Sequence, residues 1–180
     1  MNATTLTSKP ISPGHLHLLC GKMASGKSTL AQIVSEQESA IRLEEDTLLA
    51  GLFPGEISDI PSYVKCSNRM KSALRVHFVQ LLKIGVSVVL DFPSNTREQR
   101  RWLLDVALEA GADHTLHYLE RTDLQCLAQL KRRRVLQPER QGTDTPELFH
   151  AITKYFEPPA ASEGFSIIIH RTDPPGLTHE

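Results

Sequence analysis

The segment 21–28 constrains this sequence most, because it reads G-x-x-x-x-G-K-S. Two glycines at this spacing let a loop turn back on itself and point its backbone N–H groups inward, toward a bound phosphate. Residues 15–20 predict a strand immediately before the loop, and the apolar periodicity of residues 27–38 predicts a helix immediately after it. A strand, a glycine-rich loop and a helix in this order predict a phosphate-binding loop in an α/β domain.

The residues of the loop have separate expected roles. We expect Lys27 to reach the β- and γ-phosphates of a nucleotide and the hydroxyl of Ser28 to bind Mg²⁺. The other residues expected to contact the nucleotide are Gly21, Lys22, Met23, Ala24, Ser25, Gly26 and Thr29. The predicted cofactors are therefore ATP, or another nucleoside triphosphate, and Mg. The alternative interpretation is a glycine-rich turn between strand and helix that binds no ligand.

The composition favours one domain in a reducing compartment. A chain of 180 residues suffices for one core, and its 20 Lys and Arg against 21 Asp and Glu leave a net charge of −1, which offers no basic surface to nucleic acid or membrane as a whole. The three cysteines lie at no metal-binding spacing, and no apolar run is long enough to span a bilayer. We expect a cytoplasmic protein with one domain over 14–171 and flexible tails at 1–13 and 172–180.

Acidic residues follow the second predicted strand, residues 40–43. Ligands of open α/β sheets bind beyond the carboxyl ends of the strands, so one carboxylate there could take the proton of an acceptor hydroxyl. We favour Asp46, because an apolar element begins directly after it at Thr47. The alternative is that Glu44, Glu45 and Asp46 only cap and charge the first turn of that element, and the spacing favours neither reading.

A third predicted strand, residues 86–91, is nearly all apolar and ends in an acid. This is the Walker B arrangement, in which Asp91 would hold Mg²⁺ directly or through water. The alternative is an aspartate that caps the next turn. Residues 95–110 then predict a helix, with a capping box formed by Asn95 and Glu98. Arg100 falls at the edge of its apolar stripe and is the arginine best placed to turn inward, whereas its neighbours at 97 and 101 face water.

The second half of the chain predicts two more strands and a lid. Residues 114–120 and 165–169 predict strands, and a capping box at Thr122 and Gln125 starts a helix that ends in four basic residues, 131–134. Cations are favoured at any helix C-terminus, but in a phosphoryl-transfer enzyme a lid begins here and its arginines stabilise the transferring phosphoryl group. The polar segment of about 134–145, broken by proline and glycine, predicts that lid. A further helix is predicted over 145–156.

Taken together, the sequence resembles the small P-loop kinases of the predicted-kinase (AAA_33-like) group. These are related to chloramphenicol phosphotransferase, zeta-toxin kinases and the polynucleotide 5′-kinase domain. The resemblance covers about residues 15–170 and rests on the phosphate loop, on 45–46, on 88–96 with Arg100, on 116–119, on the basic lid stem, and on 155–159 with 163–165. It implies a three-layer α/β fold with a mostly parallel five-stranded sheet and an arginine-bearing lid.

The resemblance also implies roles for single residues. By it, Lys27 binds the transferring phosphate, Asp46 is the general base and Arg133 is the lid arginine. Arg134 is expected to contact the nucleotide, and Asn95 and Arg100 the acceptor. The chain departs from the group at Gln129, where the group often has arginine, and at Arg134, where it often has asparagine. These departures leave open which of residues 131–134 acts in the lid.

The function expected from these features is transfer of phosphate from ATP to a hydroxyl of a small molecule such as an antibiotic, a sugar or a nucleoside. One alternative is a kinase of RNA or DNA ends or of nucleotide-sugars. The neutral charge argues against a long nucleic-acid track, but a short end could still bind at residues 131–134. A second alternative, from another class, is a regulatory module that binds ATP without transferring phosphate. The sequence does not identify the acceptor or the oligomeric state.

Overall fold

The structure, a computed structural model, describes residues 11–138 and 142–171. Residues 1–10 of the tail predicted at 1–13, the tail predicted at 172–180 and the centre of the predicted lid, 139–141, lie outside the described residues. Within the two described ranges, no helix has the length and apolar character needed to cross a bilayer.

Five parallel strands form the centre of the fold, in the order β2-β3-β1-β4-β5. They are β1 (Leu16–Cys20), β2 (Ile41–Glu44), β3 (Val88–Asp91), β4 (His114–Leu119) and β5 (Ser166–His170). Every residue of β1 is buried, as expected for a central strand that helices cover on both faces. The predicted parallel five-stranded sheet is confirmed, with boundaries that shift by one or two residues.

In the described ranges, six α-helices connect the strands and cover both faces of the sheet. They are α1 (Lys27–Gln37), α2 (Glu45–Leu52), α3 (Ile60–Lys83), α4 (Arg97–Ala110), α5 (Asp123–Leu136) and α6 (Pro146–Thr153), with a short 3₁₀ helix at Ala161–Glu163. The main core lies between α3, α4 and one sheet face, where Phe78 and Val106 pack with Leu18. A smaller cluster packs Ala31 of α1 against Leu19 on the other face. This confirms the three-layer α/β fold.

Four predicted boundaries need correction. The capping box of α4 is formed by Thr96 and Gln99, not by Asn95 and Glu98, because the Asn95 side chain is already bonded to the phosphate loop. The helix predicted over 145–156 ends at Thr153, after which the Phe156 ring turns to stack on Tyr118 at a centroid distance of 6.3 Å. The two glycines and two prolines of residues 51–61 predict a loop, which shortens to 53–59 in the structure because α2 and α3 extend into it. Helix α5 continues to residue 136, within the predicted lid.

Candidate active site

The phosphate loop leaves β1 and leads into α1 with two residues in the left-handed region. Ala24 has φ of 58° and Gly26, the N-cap of α1, has φ of 97°. Glycine adopts this conformation readily, whereas an alanine held there marks a loop that its surroundings fix. No side chain in the described ranges caps the first turn of α1. The N–H groups of that turn therefore point toward a site for an anion.

Gly21 begins the loop at a position where only glycine fits. A Cβ added to it would lie 2.5 Å from the Ser25 hydroxyl oxygen and 3.0 Å from the carbonyl oxygen of Leu119. That Ser25 hydroxyl is buried and has no hydrogen-bond partner among the described residues. A buried hydroxyl normally finds a partner. A phosphate oxygen would supply one here, so the residues of the loop fit a nucleotide.

Lys27 folds over the loop. Its Nζ donates to the carbonyl oxygens of Gly21 at 2.7 Å and of Lys22 at 2.9 Å. Burial lowers the pKa of Lys27, and the neighbouring carboxylate of Asp91 acts in the opposite direction. Within the described part of the chain, the ammonium group is thus bonded to neutral oxygens of the loop, which a phosphate could replace.

Asp91 ends β3 at the same edge of the sheet as the phosphate loop, and an ion pair with Arg42 holds its carboxylate there. Arg42 Nη2 lies 3.0 Å from a carboxylate oxygen of Asp91 and 2.5 Å from one of Glu44, its register partner on β2. The Ser28 hydroxyl is exposed in the first turn of α1. A hydroxyl and a carboxylate are oxygen ligands of the kind that Mg²⁺ prefers. The donor set at Ser28 and Asp91 therefore fits the predicted metal.

The acidic pair at the start of α2 divides into a buried and an exposed carboxylate. Glu45 is 1% exposed and accepts hydrogen bonds from the hydroxyls of Tyr63 at 2.5 Å and Ser67 at 2.6 Å, with Lys71 Nζ at 3.3 Å. Burial, followed by the charge of Glu45, raises the pKa of Tyr63. Glu45 thus ties α2 to α3, whereas the side chain of Asp46, the next residue, is exposed to solvent.

Both readings of this acidic segment find support in the geometry. Glu45 and Asp46 lie in the first turn of α2, where negative charge favours the helix dipole. The N-cap is Glu44, whose carboxylate accepts the Thr47 hydroxyl at 2.7 Å but makes no capping bond to the helix backbone. A favourable charge at a helix start does not prevent an exposed aspartate from acting on a substrate.

An ion pair joins the two ends of the predicted lid. Arg133 on α5 binds Asp144 through two parallel hydrogen bonds, one of them from Nη2 at 2.7 Å, and Asp144 is fully buried. Burial is the main cause of the lowered pKa of Lys27, and the positive charge of Arg133 adds a smaller contribution in the same direction. Arg134 is partly buried, whereas Lys131 is exposed.

Helices α5 and α6 also pack directly on the phosphate loop. Cys126, Leu130 and Phe149 form a buried cluster that contacts Met23 and Ala24. This contact explains how Ala24 is held in its left-handed conformation. It also fixes the lid stem, and with it Arg133, beside the loop.

Asn95 and Arg100, which are expected to contact the acceptor, both form hydrogen bonds within the protein. The Asn95 side-chain oxygen accepts the N–H of Gly21 at 3.1 Å. Arg100 turns inward as predicted, but it is fully buried and binds Glu163 with two hydrogen bonds of 2.6 and 2.9 Å. A guanidinium with no exposed surface does not reach an acceptor, so the predicted role of Arg100 is replaced by one in the scaffold.

Sequence reasoning missed several contacts that shape the site. Lys22 forms an ion pair with Asp123 at 2.5 Å and lies over the Phe156 ring at 5.9 Å from its centroid. Arg42 and Asp144 were also missed. No local signal in the sequence marks such partners, because they lie up to about 100 positions apart. The one hint in the sequence is Asp144, an acid directly before the Thr145 N-cap, and an acid at that place is equally typical of a loop.

Comparisons with known proteins agree with this architecture. A family model described as AAA_33, AAA domain, matches residues 16–159. Among solved structures, a candidate kinase from Chloroflexus aurantiacus is 18% identical with a TM-score of 0.68, covering 94% of this chain and 90% of that one. A sugar kinase from Janibacter sp. HTCC2649 is 17% identical with a TM-score of 0.61, covering 88% and 85%.

A third solved structure was determined with ligands bound. It is the Mycobacterium tuberculosis APS kinase CysC in complex with AMPPNP and APS, which is 19% identical with a TM-score of 0.59 and covers 92% of this chain and 91% of that one. Identities this low show a common fold and nothing finer. None of the curated proteins matches the chain by sequence.

Proposed function

The chain belongs to the AAA_33 family of AAA domains, and from that premise we propose that it is an ATP- and Mg-dependent phosphotransferase acting on a hydroxyl of a small molecule. The observation that carries the proposal is the phosphate loop. Its helix start has no side-chain cap, its buried Ser25 hydroxyl has no partner among the described residues, and Lys27 donates to two carbonyls of the loop. These features supply neutral donors and one cation for a polyphosphate.

Each charged group then has one part in the transfer. Asp46 accepts the proton of the acceptor hydroxyl as that oxygen bonds to the γ-phosphorus, and the bond from phosphorus to the bridging oxygen breaks to release ADP. Lys27 and Arg133 stabilise the negative charge on the phosphoryl oxygens. Ser28 and Asp91 would hold Mg²⁺, whose charge offsets that of the phosphate oxygens.

The acceptor class proposed is a small molecule such as an antibiotic, a sugar or a nucleoside. The net charge of −1 supports this choice over a long nucleic-acid strand, and two structures of the same fold are named as a sugar kinase and an APS kinase. Residues 53–59 and the start of α3 follow α2, the helix that begins at Glu45 and carries Asp46, and would shape the acceptor pocket.

The test is ATP turnover against a panel of aminoglycosides, phenicols, macrolides, sugars, nucleosides and short RNA ends, with products identified by mass spectrometry. A product heavier by one phosphoryl group is expected. Asp46→Asn should lower its formation by about 10²–10⁴-fold while ATP still binds, because a general base contributes on that order. Asp105→Asn is the matched control, since Asp105 is an exposed acid on α4.

Two outcomes would change the proposal. Equal turnover in Asp46→Asn and the wild type would remove Asp46 as the base. ATP binding without a phosphorylated product from any acceptor would favour the regulatory module, and a product only from RNA ends would favour the nucleic-acid kinase.

A further inference from the structure

Two bonds from the segment that follows β3 fix the start of the phosphate loop. The Asn95 side-chain oxygen accepts the N–H of Gly21 at 3.1 Å, and the buried Ser94 hydroxyl donates to the carbonyl of Leu19. These two bonds fix the residues on either side of Cys20, the last residue of β1. They therefore set the direction in which the loop leaves the sheet.

Arg100 holds the segment that follows β3 in place through hydrogen bonds from its guanidinium group. Its Nη1 donates to the carbonyl oxygens of Ser94 at 3.1 Å and of Glu157 at 2.8 Å. Its Nε and Nη2 donate to the two carboxylate oxygens of Glu163 at 2.6 and 2.9 Å. One buried guanidinium thus joins the end of β3 to the segment 157–163, which leads into β5.

Backbone contacts of the segment 157–163 complete the connection. The N–H of Glu157 donates to the carbonyl of Asn95 at 2.9 Å, and the Glu157 carboxylate accepts the N–H of Arg97 at 2.7 Å. Glu163 also accepts the N–H of Ala160 at 2.9 Å. Asn95 is therefore fixed on its backbone side by Glu157 while its side chain holds the loop.

Stability alone does not explain a buried ion pair at this place. A buried pair can usually be replaced by apolar residues of similar volume at no loss of stability, because desolvation offsets the Coulomb attraction. The ion pair instead fixes the relative positions of its partners, because a planar guanidinium bound on two edges allows only one arrangement of them. Here the partner so fixed is the backbone of Ser94, one residue from the contact to the phosphate loop.

We propose that Arg100 and Glu163 are positioning residues of the nucleotide site, which act through Ser94 and Asn95 to hold the phosphate loop in its binding conformation. The inference rests on the proposed nucleotide-binding function and deepens it. It assigns the segment 157–163 to the nucleotide side of the reaction and removes Arg100 from the acceptor side.

The first test is a double-mutant cycle on nucleotide affinity. Glu163→Gln keeps the shape of the side chain but removes its charge, and Asn95→Ala removes the bond to Gly21 while leaving the ion pair. Each should weaken ADP binding, measured by calorimetry with Mg²⁺, by about three- to tenfold, the effect of one hydrogen bond. The double variant should bind no more than about twofold weaker than Asn95→Ala, because both changes act along one path.

The same cycle has a control variant and an outcome that would contradict the proposal. Glu109→Gln removes an exposed ion pair between α4 and Arg75 of α3, with a distance of 2.8 Å, and should leave ADP affinity unchanged. If the effects of Glu163→Gln and Asn95→Ala multiply in the double variant, the two residues act independently and the proposal is wrong.

The second test needs no nucleotide. Hydrogen exchange of the full chain, at a temperature where circular dichroism shows every variant folded, should be faster in Glu163→Gln for peptides over residues 19–27. Faster exchange confined to residues 157–165 would overturn the proposal. A protein that bound no ADP would contradict the proposed function, while this exchange result would still decide whether Glu163 positions the loop.

Discussion

Lowering the pH should destabilise this protein through a row of histidines on one face of the sheet. His17 on β1, His117 on β4 and His170 on β5 are joined ring to ring, with nitrogen–nitrogen distances of 3.2 and 3.1 Å. The other ring nitrogen of His17, Nε2, is buried without a partner among the described residues. Two protonated neighbours in this row would point N–H groups at each other, so the folded protein favours neutral rings.

The pKa values give the sign and the size of the effect. Burial lowers the pKa of His17 to about 4 and that of His117 to about 4, from 6.5. The charge of His15 adds to the effect at His17, and the charges of His17, His170 and His15 add to it at His117. Because the folded values lie below the unfolded one, the stabilisation is complete above pH 6.5 and is lost as the pH falls toward 4. Between pH 7 and 5 this amounts to about 2 kcal/mol for one ring and about 2–4 kcal/mol for the coupled pair.

Urea denaturation at pH 7, 6 and 5 measures this loss in free energy of unfolding. Carboxylates also contribute below pH 5, so the informative quantity is the difference between the wild type and the double variant His17→Gln/His117→Gln. We expect the wild type to lose about 2–4 kcal/mol more than the variant. His77→Gln, at an exposed position on α3, should behave as the wild type. Equal pH dependence in the wild type and the double variant would refute the reasoning.

Three substitutions test other parts of the structure. Gly21→Ala places a Cβ 2.5 Å from a side-chain hydroxyl and should lower stability in urea by about 1–3 kcal/mol and weaken nucleotide binding, and unchanged values would contradict the close contact. Asp144→Asn removes a buried charge from the half-exposed Arg133 and should cost about 1–3 kcal/mol of unfolding free energy by the same measurement. Tyr63→Phe removes one donor to Glu45 and should reduce stability by about 1 kcal/mol without changing ATP affinity in calorimetry.

The parts of the fold that depend on local patterns could be predicted from the sequence. The phosphate loop, the apolar strand that ends at Asp91 and the capping box at Thr122 each depend on residues within a few positions of one another. Periodicity also predicted that Arg100 turns inward, because the side of a helix on which a residue lies follows from its spacing. The parallel sheet followed from strands that alternate with helices.

The partners of charged residues could not be predicted in the same way. Arg100 is 63 positions from Glu163, and nothing between them in sequence indicates that they meet. A pattern shows that a side chain turns inward, but the burial of a charge depends on a partner that tertiary packing supplies. The same limit explains Asn95, where a plausible helix cap and a bond to a distant loop compete for one side chain.

The pairing of charges at the site bears on which groups can meet a nucleotide. Lys27 is held by neutral carbonyls, whereas Asp91 is paired with Arg42 and Arg133 with the fully buried Asp144. Breaking a buried pair leaves an uncompensated charge and costs several kcal/mol, whereas exchanging a carbonyl for a phosphate oxygen does not. Lys27 can therefore move to a phosphate at little cost. Arg133 uses its Nε and Nη2 on the carboxylate, so it can reach a phosphoryl group while keeping that pair only through Nη1, in an orientation that Asp144 sets.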